Sequence, residues 1–104
     1  MQYETIHTET RDGFEIVFSV TPEHTAPEDL FDDDGEAAAA IRDGDGYWFV
    51  ARVDAKKHGV TLGTDYLGGC WYRSFREFLS DGYYADMVKE AISQARDTLD
   101  KLAA

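Results

Sequence analysis

The chain of 104 residues predicts an α+β fold. The expected form is a four-stranded antiparallel sheet made of two hairpins, with an acidic helical crossover and a long C-terminal helix packed on one face. Three observations predict it. Two pairs of β-rich segments are each joined by a short glycine-containing turn. An apolar stripe of helical period runs through the C-terminal third. Between the pairs lies a segment of carboxylates and alanines that reads as neither strand nor core. This length makes one domain, residues 1–104, with enough chain to bury a core. Residues 23–45 form the acidic crossover within it.

The first hairpin starts with "YETIHTET", which is alternating and β-branched, and returns through "FEIVFSV". Phe14, Ile16, Phe18 and Val20 recur at period two, the pattern of a half-buried strand. The intervening "RDG", residues 11–13, suits a three-residue loop with Gly13 left-handed. That loop sets Ile6 opposite Phe18 and Thr8 opposite Ile16.

The crossover reads as two short helical pieces. "PEDLF" starts a turn of helix at Pro27, and Glu28 and Asp29 complement its dipole. "EAAAAIRDG" is rich in helix formers and stops at Gly44.

The second hairpin pairs "YWFVARVDAKK" (47–57) with "VTLGTDYLGGCWY" (60–72) through a His58-Gly59 turn. An unbroken register from Lys57 opposite Val60 places Phe49, Ala51 and Val53 on a face with Leu62, Thr64 and Tyr66. It sets Arg52 opposite Asp65 and Trp48 opposite Gly69. Trp48, Val50, Leu67 and Trp71 then share the other face. The helix covers only one face, which leaves the second to the crossover, a partner or a second copy. The glycines of "GTDYLGG" read as a bulge or a close backbone approach.

Ser74 and Glu77 have capping-box spacing for a short helix that Gly82 ends. A long helix follows over about Tyr83–Leu102. Its stripe is Met87, Val88, Ala91, Ile92, Ala95, Leu99 and Leu102.

Charge is the feature that bears most on function. The net charge is −11. Residues 23–45 alone carry nine acids and one base, while residues 46–104 carry eight of each. Nucleic acid and anionic membranes are repelled by such a segment, and a basic protein or a cation is attracted. Acid spread over the whole surface would mark adaptation to high salt, but the balanced C-terminal half argues against that.

Motifs of catalysis and metal binding do not meet their spacing rules. An EF-hand frame from Asp32 puts Ala37 where glycine is required and Asp43 where a bidentate glutamate is required. A frame from Asp43 runs into Tyr47 and a hydrophobic strand. His7, His24, His58 and Cys70 lack the paired spacing of zinc ligands. There is no G-x-S-x-G and no phosphate loop between a strand and a helix. The expectation is therefore a protein without catalytic activity, cofactor or metal. The lone Cys70, the absence of a spanning apolar run and an N-terminus "MQYETIHTET" unlike a signal peptide lead to an expectation of a soluble, cytoplasmic protein.

The stretch "LGTDYLGGCWYRSFREFLSDGYYADMVKEAI" (62–92), and more loosely "YETIHTETRDGFEI", resembles a group of small phage and prophage proteins. The resemblance implies a bacteriophage setting in the cytoplasm of a bacterial host. Small acidic proteins in that setting are often inhibitors of host defence, including anti-CRISPR and anti-restriction proteins that imitate DNA. The expected partner is then a basic, nucleic-acid-handling protein or nucleoprotein complex, rather than nucleic acid itself. Glu28, Asp29, Asp32, Asp33, Asp34, Glu36, Asp43 and Asp45 would supply the decoy charge, with Trp48 and Trp71 as apolar anchors. The alternatives are an accessory homodimer formed through the uncovered sheet face, and an acidic segment that only aids solubility.

Overall fold

The computed structural model describes residues 2–25, 39, 41, 43–44 and 46–103. Four strands, β1 (Glu4–Arg11), β2 (Phe14–Pro22), β3 (Tyr47–Lys57) and β4 (Val60–Tyr72), form one antiparallel sheet in the order β1-β2-β3-β4. Two helices follow, α1 (Phe75–Ser80) and α2 (Gly82–Ala103). The two hairpins are thus joined edge to edge by β2–β3 pairing. Both tight turns lie at one end of the sheet, and the end of β2 and the start of β3 lie at the other.

The first turn is tighter than expected. Asp12 (φ 55°) and Gly13 (φ 83°) are both left-handed, which makes a two-residue turn with Arg11 opposite Phe14. Such a turn matches the right-handed strand twist, and aspartate tolerates the left-handed region better than most residues. The register is therefore offset by one residue: His7, not Ile6, faces Phe18, and Glu9, not Thr8, faces Ile16. An irregularity between Thr5 and His7 absorbs the offset and sets Thr5 opposite Ser19.

The second turn is as expected, with His58 and Gly59 left-handed and Lys57 opposite Val60. Beyond it β4 slips twice, between the partners of Lys56 and Ala55 and again between those of Ala51 and Phe49. Each slip shifts the pairing by one residue. Arg52 consequently faces Tyr66, Asp65 faces Val53, and Trp48 faces Trp71 rather than Gly69. Leu67 moves to the buried face opposite Ala51, whereas Thr64 and Tyr66 leave it.

The core lies between one face of the sheet and the two helices. Phe14, Ile16, Phe18, Phe49, Ala51 and Val53 are buried there with Phe78, Met87, Val88, Ala91, Ile92 and Ala95. Phe78 stacks on Phe18 at a centroid distance of 5.1 Å. Ser74 caps α1 by accepting from the Glu77 N–H at 3.3 Å. Asp81, not Gly82, ends α1, and Gly82 is the first residue of α2. The Asp81 carboxylate also accepts from the Tyr72 hydroxyl at 2.9 Å, tying β4 to the helix junction. Burial of the Tyr72 hydroxyl, followed by that bond, raises its pKa. The stripe of α2 is buried from Tyr84 to Ala95, but Leu102 lies past the end of the sheet and is 74% exposed.

The slip near Leu62 is where α2 docks. Gly63 lies so close to the helix that an added Cβ would stand 2.0 Å from the Ala91 carbonyl oxygen. Gln94 accepts from the Thr64 N–H (3.1 Å), and Thr98 donates to the Leu62 carbonyl (3.1 Å). Part of the free edge of β4 is thereby closed. The edge of β1 is blunted by its irregularity and by Glu9 and Arg11 on the core-facing side. Glu9 accepts from the Tyr84 hydroxyl (2.7 Å) and from Arg11 (2.6 Å), and His7 lies 3.1 Å away. The bond from Tyr84 holds the Glu9 carboxyl below the usual carboxylate range. Burial and the same bond push the Tyr84 phenol up.

Among the described residues, Tyr3 reaches across the face of the sheet opposite α2. The Arg52 guanidinium stacks on its ring at 4.1 Å, and Tyr66 lies 6.4 Å beyond. Under this arrangement Ser19 and Thr21 are buried. Arg52 Nε is 3.2 Å from Asp54 Oδ2 but is not aligned for a hydrogen bond, and Asp54 also accepts from Thr64 at 2.7 Å. This face is therefore closed in part by the chain's own N-terminal residues. No helix among the described residues is long and apolar enough to cross a membrane.

Candidate interaction surface at the acidic end of the sheet

The acidic crossover leaves the sheet after Pro22 and returns at Tyr47. The outgoing stem is hydrogen-bonded to this end of the β3–β4 pair, and the returning stem passes close against it at Gly46. On the outgoing stem the Glu23 N–H donates to the Trp48 carbonyl at 3.1 Å, extending the β2–β3 ladder by one step. The Glu23 side chain accepts from the Gly69 N–H at 2.7 Å. Gly69 is left-handed (φ 67°) at the second slip of β4, where its N–H leaves the ladder and needs an acceptor. The other Glu23 oxygen accepts from the backbone of His24 (3.0 Å) and Thr25 (3.3 Å), forming a local turn. Trp48 Nε1 then donates to the Thr25 carbonyl at 3.1 Å.

The returning stem contains its own backbone hydrogen bonds. Asp43 N–H donates to the Ala39 carbonyl (3.0 Å) and Gly44 N–H to the Ile41 carbonyl (3.1 Å). Ala39 and Ile41 are helical and Gly44 is left-handed (φ 82°), so this helical turn stops at the expected glycine. Gly46 (φ 86°) then lies against the end of β4. A Cβ there would stand 2.6 Å from the Tyr72 carbonyl oxygen and 3.1 Å from Trp71 Nε1, so only glycine passes.

The two tryptophans expected as anchors are direct cross-strand neighbours. They lie at the sheet end where the stems join, on the face opposite the core. Of the expected acidic residues, Asp43 is described and exposed on the returning stem. Glu28, Asp29, Asp32, Asp33, Asp34, Glu36 and Asp45 lie outside the described residues, as does the helical piece expected at Pro27. Sequence reasoning counted Glu23 among the acids but did not see its role. Its carboxylate is used within the fold. The only signal was the Gly68-Gly69 pair, which marks a bulge without naming the acceptor that satisfies it.

Cys70, His58 and His7, singled out above, occupy positions within the fold. Cys70 is buried, its thiol donates to the Leu67 carbonyl at 3.3 Å, and burial pushes its pKa up to about 11. His58 occupies the turn and His7 pairs with Glu9. Among the described residues no three histidine, cysteine or carboxylate side chains are grouped to hold a metal ion. Comparison with known protein families, curated proteins and solved structures finds no match to this chain.

Proposed function

We propose that the protein is a non-catalytic inhibitor that binds a basic, nucleic-acid-handling protein of a bacterial host through the acidic segment between its two stems. An anti-CRISPR or anti-restriction protein acting as a DNA decoy is the most concrete version. One observation carries the reading. The segment with the highest charge density in the chain leaves the sheet through a stem bonded at the end where Trp48 and Trp71 are paired, and re-enters it there past Gly46. Duplex DNA carries one charge per ~1.7 Å of axis, so a channel built for it also attracts a dense row of carboxylates. The charge steers the encounter, and apolar anchors at its base retain the complex.

The test is charge reversal. A variant carrying Asp32→Lys, Asp33→Lys and Asp34→Lys should keep the wild-type melting temperature. It should also lose capture of the target from a phage-host lysate. Capture by the wild type should fail near 0.5 M salt, where the screening length falls to about 4 Å. Target capture that survives both the substitutions and the salt refutes the decoy mechanism. A salt-insensitive dimer in sizing experiments would point to the accessory homodimer in its place.

A further inference from the structure

A cavity of about 370 Å³ opens at the same end of the sheet, between the start of β1, the ends of β2 and β3 that receive the stems, and the start of α1. Its walls include Tyr47, Trp48, Phe49, Phe75 and Tyr3, the last already carrying the Arg52 guanidinium at 4.1 Å on its ring; Glu4 also lines it, and among the described residues no basic residue does. We propose that this cavity is a cage for a cationic side chain, arginine above all, presented by a basic partner. The choice of partner rests on the reading above, and the cavity adds where and how one of that partner's residues is held.

Three observations support the assignment. Aromatic faces concentrate negative potential, and a cation among several of them beside a carboxylate is attracted by both. The rings are held before any ligand arrives. Tyr47 stacks on Phe75 at 4.5 Å, Phe75 meets Phe49 edge-on at 5.3 Å, and the Trp48 indole N–H is tied to Thr25. Held rings lose little freedom on binding. The fold also uses this chemistry once already, on Tyr3, where the Arg52 guanidinium stacks at 4.1 Å. A planar guanidinium stacks on rings and donates to a carboxylate at its edge, which an ammonium does less well.

The chemistry can be tested without the partner. N-acetyl-arginine amide is titrated into the whole protein and followed by NMR, with N-acetyl-citrulline amide as the uncharged isostere. The expected result is saturable shifts at the Trp48 indole N–H and the Tyr47 and Phe75 rings with the arginine compound, and none with citrulline. Tyr47 is 49% exposed, so Tyr47→Ser should leave the melting temperature close to wild type. It should weaken arginine binding by about three- to tenfold. Glu4→Gln, on an exposed residue, should weaken it by about threefold. Equal binding of citrulline, no saturable shift, or an unchanged affinity in Tyr47→Ser overturns the cage. The triple Asp32, Asp33 and Asp34 lysine variant separates the two proposals. Retained arginine shifts at Tyr47 and Phe75 support the cage even when partner capture is lost. Loss of those shifts assigns the cation to the acidic segment and overturns the cage.

Discussion

Gly63→Ala is the smallest change that tests how the helix layer is seated on the sheet. An added Cβ would lie 2.0 Å from the Ala91 carbonyl oxygen, 2.8 Å from the Ala95 nitrogen and 3.0 Å from Gln94 Cβ. Two of these are backbone atoms of α2, so no side-chain rotation relieves the clash. The helix must retreat by about 1.4 Å to reach ordinary contact, in a core packed as densely as an organic crystal. That retreat stretches the Thr64–Gln94 and Thr98–Leu62 bonds, both now 3.1 Å, beyond useful length. Overpacking costs about 1–3 kcal/mol. Each lost hydrogen bond costs about 1 kcal/mol. Alanine returns roughly 0.5–1 kcal/mol through its lower backbone entropy in a strand. The net loss is about 2–4 kcal/mol, a large part of the roughly 5–15 kcal/mol that holds a domain together. Urea denaturation should show a midpoint lowered by about 1–2 M at unchanged slope. Gly82→Ala is the control, because nothing lies within 4 Å of a Cβ there. It should raise stability by up to about 1 kcal/mol. A Gly63→Ala variant within about 0.5 kcal/mol of wild type would refute the seating of α2 on β4.

Glu9 should govern part of the acid limb of stability. Its folded pKa is lowered, chiefly by the Tyr84 bond, so its contribution is present above the unfolded value of about 4.3 and fades as pH falls through the folded value. Glu9→Gln should cost about 1–2 kcal/mol at pH 7. The gap should narrow by pH 3 in urea titrations, and a gap independent of pH contradicts the assignment. Glu23→Gln weakens the acceptor of the Gly69 N–H and should cost about 1 kcal/mol. It should also shift tryptophan fluorescence, because Trp48 is tied to the turn that Glu23 makes; an unaltered spectrum and midpoint would show that the stem is not held this way. Cys70 is buried with its thiol pKa pushed up to about 11, so a thiol reagent at pH 8 should label it only after unfolding. Rapid labelling of the native protein would contradict that burial.

The two hairpins and the helical end were legible because each rests on a local signal. Period-two alternation marks Phe14–Val20, a glycine turn follows Lys57, and the stripe from Met87 to Ala95 repeats every three or four residues. Registers were not legible, because they depend on choices with no local signature. "RDG" admits a three-residue loop or a two-residue Asp12-Gly13 turn, and strand twist selects the latter. The slips in β4 arise where α2 requires Gly63 bare and where Gly69 turns its N–H toward Glu23. Both partners are remote in sequence, 30 residues or more away in the bonds to Gln94 and Glu23. A single slip reverses which side chains face the core, which explains why Leu67 and Tyr66 exchange faces. The candidate surface shows the same division. The charge of residues 23–45 is plain in the sequence, whereas the pairing of Trp48 with Trp71 follows from two slips acting together. The cover over Ser19 and Thr21 depends on Tyr3, which no periodicity ties to the opposite strand.

The placement of the stems divides the proposed interaction into two kinetic parts. Lys56 and Lys57 flank the His58-Gly59 turn and Arg11 flanks the Asp12-Gly13 turn, at the end of the sheet remote from the crossover. Arg42, Arg73 and Arg76 are near the acidic end in the chain, too few to neutralise the nine acids of residues 23–45. Charge is therefore uneven along the chain, and under the proposed reading it is residues 23–45 that steer a basic partner. Long-range charge acts on the encounter, so the triple lysine variant should lower the association rate by on order of tenfold or more at low salt and less at high salt. Short-range burial acts on retention, so Trp48→Ala should chiefly raise the dissociation rate. Surface plasmon resonance against the captured target separates the two. If charge reversal changes only dissociation and Trp48→Ala only association, a steering segment held above an apolar anchor is the wrong description of this surface.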